Sequence, residues 1–209
     1  MNNNLIKLHA KSFYWASFFL SKKIFLKSSS LYNFCRTLDD IVDGPENLDL
    51  KKQKFLQFKN DFINKNFNNK IIQEMWDIMK SEYISKIIVL DLFDGVETDL
   101  KEKVILNNKK DLMMYSYRVA GTVGLMMSKI LKVHNKNALR GAIDLGIAMQ
   151  FTNIARDIVE DKIRNREYIN HNFSSLKEII NESEILYDRS FQAIKYIPLR
   201  SRFAVIVAR

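Results

Sequence analysis

The chain of 209 residues has two prolines, six glycines and one cysteine. Folds rich in strands and tight turns draw on glycine and proline, so their scarcity points to long helices. Four of the glycines, Gly121, Gly124, Gly141 and Gly146, fall in one stretch, which suggests close helix packing or a helix break more than surface turns. A lone Cys35 excludes an internal disulfide framework and suits a reducing compartment. The opening MNNNLIKLHA has no basic segment followed by an apolar one, so no signal peptide is expected and the expected location is cytoplasmic. No run of about 18 apolar residues occurs, so no membrane span is expected.

Hydrophobic residues make up 47% and charged residues 27%, the balance of a globular domain. The net charge of +9 admits three partners: nucleic acid, an anionic membrane surface or a polyanionic small substrate. The basic residues are dispersed, and neither a recognition motif nor aromatic-basic interleaving is present, so no nucleic-acid partner is expected. Nothing in the sequence fixes an oligomeric state.

Apolar residues at three- and four-residue spacing predict helices near 11–21, 29–43, 49–65, 70–79, 82–99, 110–131 and 136–162. Gly44-Pro45 should stop the second of them. Ser175 with Glu178 reads as a capping box for a helix to about Ile197, and Pro198 suits the first turn of a last one. No alternating strand pattern extends beyond four or five residues. The fold class is all-α.

Two acidic clusters carry the chemistry. In Arg36-Thr-Leu-Asp39-Asp40-Ile-Val-Asp43 a helix places three carboxylates on one side, with Arg36 one turn earlier. In the second, Gln150, Asn153, Asp157 and Asp161 recur at steps of three, four and four, beside an apolar stripe of Ile147, Phe151, Ile154 and Ile158. Like charges one turn apart cost a helix roughly 0.2–0.5 kcal/mol per pair. A bound cation removes that cost. Carboxylate oxygens with few His or Cys nearby suit Mg²⁺ or Mn²⁺, held jointly with phosphate oxygens. Either cluster alone reads equally well as a solvated helix face. Their shared design, with a polar or basic residue one turn earlier on an apolar helix, favours a paired site.

The two clusters resemble the first and second aspartate motifs of the squalene/phytoene synthase family. Tyr115-Ser-Tyr117-Arg-Val119-Ala120-Gly121-Thr-Val-Gly124 resembles the Tyr-plus-Ala-Gly segment between them. Lys11-Ser12-Phe13 resembles the family's N-terminal substrate-facing segment, and Leu92 to Leu100, which contains Asp94, Gly95, Glu97 and Asp99, a further motif. The wording is most similar to bacterial phytoene synthases, and the matches span about residues 9–209.

The resemblance implies a single isoprenoid-synthase domain over 1–209, a helical bundle around a central cavity. It also implies C-terminal helices that are missing, because family members continue further and this chain stops inside an apolar run at Arg209. The implied reaction is head-to-head condensation of two prenyl diphosphates through a cyclopropyl intermediate, with a divalent cation and no nicotinamide for phytoene. By the same resemblance Asp39, Asp40, Asp43, Asn153, Asp157 and Asp161 hold Mg²⁺. His9, Lys11, Ser12, Phe13, Arg36, Val119, Ala120, Gln150, Asn153, Arg156, Arg166 and Tyr168 bind substrate, and Tyr115 lies near the reacting carbons. A C15 farnesyl substrate, or a non-catalytic assembly role, stands as the alternative. A long hydrocarbon product implies peripheral contact with a membrane, assisted by the basic charge.

Overall fold

The computed structural model describes residues 20–106, 108–199 and 201–202. Helix α1 (Lys22–Asp43) opens on Ser21, whose hydroxyl accepts from the Ile24 N–H, and ends at Gly44 ahead of Pro45. It starts earlier than the expected 29, because Ser21 supplies the missing acceptor at the helix start. The helix expected near 11–21 lies almost wholly outside the described residues. Helices α2 (Leu48–Ile63), α3 (Lys70–Glu82) and α4 (Lys86–Thr98) follow on short connections.

These four helices close one core. Leu31, Phe34, Leu38 and Val42 line the inner face of α1, and Phe55, Phe58 and Phe62 that of α2. Phe34 meets Phe58, Phe62 and Phe93 with ring centroids 5.6, 5.7 and 5.8 Å apart, within the range of favourable aromatic pairs. Met126 and Ile130 complete it from a later helix.

The expected helix over 110–131 is three pieces. Helix α5 (Lys109–Ser116) runs into a π-helical segment, Tyr117–Gly121, and then into α6 (Thr122–Ile130). Within that segment the Thr122 N–H donates to the carbonyl of Tyr117, five residues back. The bunched glycines suggest close packing or a break, and both are found here. A Cβ on Gly146 would stand 2.3 Å from the Ala120 carbonyl oxygen, and one on Gly124 would stand 2.2 Å from that of Ala142. The two backbones touch, and bare glycine is what permits it.

Helix α7 (Lys136–Arg156) is the axis of a second core, with α5 on one side and α9 (Phe173–Ala193) along another. Ile147, Ala148, Phe151 and Ile154 meet Leu112, Ile179 and Leu186 there. The expected continuous helix 136–162 breaks at Asp157, and α8 (Ile158–Ile163) follows. The break is slight: the Asp157 N–H bonds the Asn153 carbonyl and the Asp161 N–H that of Asp157, both at 2.8 Å. The capping box at Ser175 is not the start of α9. Asn172 takes that place, accepting from the Ser175 N–H at 2.8 Å, which puts Ser175 inside the helix.

One feature had no signal in the sequence. Val104–Ile105 (β1) pairs in parallel with Arg166–Glu167 (β2), Val104 opposite Arg166. Two residues a side are too few for an alternation to show. Among the described residues no helix is long and apolar enough to cross a membrane.

Candidate active site

The last turn of α1 presents Asp39, Asp40 and Asp43. The end of α7 and the start of α8 present Gln150, Asn153, Asp157 and Asp161. Strand β2 joins the two sides. Arg166 is 7% exposed and donates from a terminal guanidinium nitrogen to Asp43 Oδ1 at 2.8 Å, while Arg164 reaches Asp43 Oδ2 at 3.5 Å. The charge of Arg166 is also felt by Asp99 and Asp161. The Arg166 Nε is buried without a hydrogen-bond partner. A buried donor of that kind is costly unless an anion or water completes it.

Electrostatics single out two aspartates. Asp39 is pushed up to about 6, first by loss of hydration and then by Asp43. As a residue it lies on the exposed side of α1. Asp161 is likewise pushed up to about 6 by desolvation, then by Asp157 and Asp99, against the pull of Arg166 and Arg164. Asp40 pairs with Arg36 at 2.8 Å, with 59% of its side chain exposed. Arg156 folds onto its neighbour Asp157 with two contacts of 2.5 and 2.6 Å.

The residue that sequence reasoning did not single out is Asp99, at the C-terminal end of α4. Its carboxylate accepts from the Tyr115 hydroxyl at 2.9 Å and from the Tyr168 hydroxyl at 2.7 Å. The two hydroxyls lie 3.0 Å apart, and the rings stack with centroids 4.8 Å apart. Burial raises the pKa of Asp99 more than Arg166 and the two phenols lower it, and burial raises both tyrosines. The signal was present in the Leu92–Leu100 resemblance, but no local spacing joins Asp99 to tyrosines 16 and 69 positions away.

Tyr115 and Tyr168 are thus brought together with Asp99, and Arg166 with Asp43. Val119 and Ala120 lie half-buried in the π segment, and Gln150 and Asn153 half-buried on α7. His9, Lys11, Ser12 and Phe13 lie outside the described residues. A cleft of about 180 Å³ adjoins Tyr168, lined by Leu112, Phe151 and Ile179 among others.

The donors suit a hard divalent cation. Among the described residues no three acidic, His or Cys side chains close around one point as a self-sufficient cage. Carboxylates divided between two sides, with an unpartnered guanidinium nitrogen nearby, fit Mg²⁺ completed by the oxygens of an anionic ligand.

Known proteins resemble this chain in sequence and in fold. A 15-cis-phytoene synthase of Pantoea ananas is 27% identical across the whole chain, which covers 81% of that protein. Phytoene synthase 1 of Zea mays is 33% identical over 77% of the chain, which covers 41% of the maize protein. A solved dehydrosqualene synthase superposes with a TM-score of 0.76 at 26% identity, over 98% of this chain and 81% of that one. A squalene synthase of Alicyclobacillus acidocaldarius has the same fold, with a TM-score of 0.76 at 17% identity over 98% of this chain and 86% of that one. The Squalene/phytoene synthase model matches residues 6–173, and the chain belongs to that family.

Proposed function

We propose that the chain is a prenyltransferase of the phytoene synthase type, condensing two geranylgeranyl diphosphates head to head through prephytoene diphosphate to phytoene. The observation that carries this reading is the meeting of the two aspartate sides around Arg166, which touches Asp43 and senses Asp99 and Asp161. The names of the Pantoea and maize relatives support the C20 substrate.

Asp39, Asp43, Asp157 and Asp161, with Asp40 and Asn153, are the residues that would hold Mg²⁺. The ion would neutralise charge on the departing diphosphate. Arg166 and Arg164 stand beside Asp43, so a diphosphate arriving there meets two guanidinium groups able to grip its oxygens. Arg36 and Arg156, at the rims of the two sides, can swing from their aspartates to the same anion. Loss of diphosphate from an allylic carbon leaves a cation, which aromatic faces stabilise without quenching it. The stacked Tyr115 and Tyr168 rings supply such faces.

Incubation with geranylgeranyl diphosphate and Mg²⁺ should yield phytoene. A chain that forms neither phytoene nor prephytoene diphosphate, and binds no Mg²⁺ with a diphosphate analogue, would be a non-catalytic relative instead. The likeness to a dehydrosqualene synthase favours a second reading, with farnesyl diphosphate as substrate. Competing the two substrates against each other separates them. Contact with an anionic membrane surface on the cytoplasmic side is part of the proposal, and sedimentation with anionic liposomes tests it.

A further inference from the structure

Asp99 contributes more to the site than one more negative charge. Its two carboxylate oxygens take one phenol each, Oδ2 from Tyr115 and Oδ1 from Tyr168, and the phenol oxygens close the triangle at 3.0 Å. Two phenols carry two hydroxyl protons between them. With the carboxylate ionised both are drawn toward it, so the third edge has no proton wholly its own. The rings are therefore fixed twice over, by the stack and by the shared acceptor. Tyr115 is 6% exposed and Tyr168 5%, so water does not compete strongly for either hydroxyl.

A phenol that donates to a carboxylate gains partial phenolate character, and hydrogen bonds in a low-dielectric site polarise one another. Added electron density on the ring strengthens its attraction for a cation. We propose that Asp99 is a positioning residue for the head-to-head reaction, aligning the Tyr115 and Tyr168 rings and polarising them toward an allylic cation. This rests on the prenyltransferase reading above. It assigns Asp99 to the tyrosines and not to the metal.

The test compares wild type with Asp99→Asn, Tyr115→Phe and the double variant. With geranylgeranyl diphosphate, Asp99→Asn should lower kcat about tenfold or more, because the effect belongs to the transition state. KM should stay within about threefold, as expected when ground-state binding is untouched. The double variant should be little worse than the poorer single one, because both act through one contact. Calorimetric binding of Mg²⁺ with inorganic diphosphate should be unchanged in Asp99→Asn.

Ultraviolet resonance Raman difference spectra, wild type minus each Tyr→Phe variant, should show strongly donating phenols that Asp99→Asn abolishes. Loss of magnesium-diphosphate binding in Asp99→Asn would make Asp99 a metal ligand and overturn the proposal. Unchanged kcat would overturn it as well. A wild-type chain with no turnover would remove the prenyltransferase reading and the catalytic role with it, while the Raman difference still reports whether Asp99 holds the phenols. Should Asp99→Asn fail to fold, Tyr168→Phe removes one donor and leaves the carboxylate in place. It should then show the same split between kcat and KM, and an unchanged kcat there overturns the proposal.

Discussion

Asp39 and Asp161 titrate near 6 in the folded chain against an ordinary 3.8. A carboxyl whose folded pKa is raised binds its proton more tightly folded than unfolded. The metal-free protein should therefore lose stability as pH rises from about 4 to about 6, and level off above that. Thermal melts across this range check the sign. Asp39→Asn and Asp161→Asn should raise the melting temperature at pH 7 and weaken magnesium-diphosphate binding, read by melting and calorimetry on the same samples. Opposite movement of stability and binding is the signature of a functional residue. These aspartates were legible in the sequence because their meaning lies in a spacing of three and four. Asp99 was not, because its partners Tyr115 and Tyr168 stand 16 and 69 positions away. Nothing local marks such a pairing. Arg36 and Asp40 show the converse: their spacing of four was readable, and the helix turns them into a pair of its own.

Among the elements, the π segment and α6 lie against α7 with backbones in contact at Gly146 and Gly124. Gly146→Ala puts a methyl group 2.3 Å from a backbone oxygen that no rotamer change can move aside. It should cost about 1–3 kcal/mol, the range for overpacking. At Gly121 the nearest atoms are side-chain carbons of Tyr117 and Ile143, at 3.1 and 3.2 Å. Gly121→Ala should be milder, and urea denaturation of the two variants ranks them. Most helices were found from apolar spacing alone, and their ends were less well read. Asn47, Asn69, Asn108, Asn135 and Asn172 each open a helix by accepting from a backbone N–H two or three residues on. Apolar spacing carries no mark of these caps, although asparagine caps as well as serine. The π segment at Tyr117–Gly121 was foreshadowed by its glycines but not its form, because the choice between a π turn and a kink depends on what packs against it.

At the scale of the molecule, Glu82 ties distant parts together. Its carboxylate, 1% exposed, pairs with Lys27 of α1 and with Lys132 in the turn after α6. Glu82→Ala takes the carboxylate from Lys132 and Lys27 and leaves Lys27 only the Ser81 hydroxyl, 2.7 Å away. It should destabilise the fold by roughly 1–3 kcal/mol, as for breaking a buried ionic hydrogen bond whose cations can still reach water. The urea midpoint should shift with little change in its slope. The fold class was readable from scarcity of glycine and proline, whereas the parallel β1–β2 pairing is a tertiary event that leaves no pattern in either strand. That pairing has a consequence for the order of assembly. The phenylalanine-rich core draws on residues from Leu31 to Ile130 and can form while the rest of the chain is still being made. The Arg166–Asp43 contact spans 123 positions and must wait. During synthesis, then, the first aspartate helix can be packed and solvated well before its counterpart leaves the ribosome. The centre comes into being late, as a latch closed across a scaffold already standing.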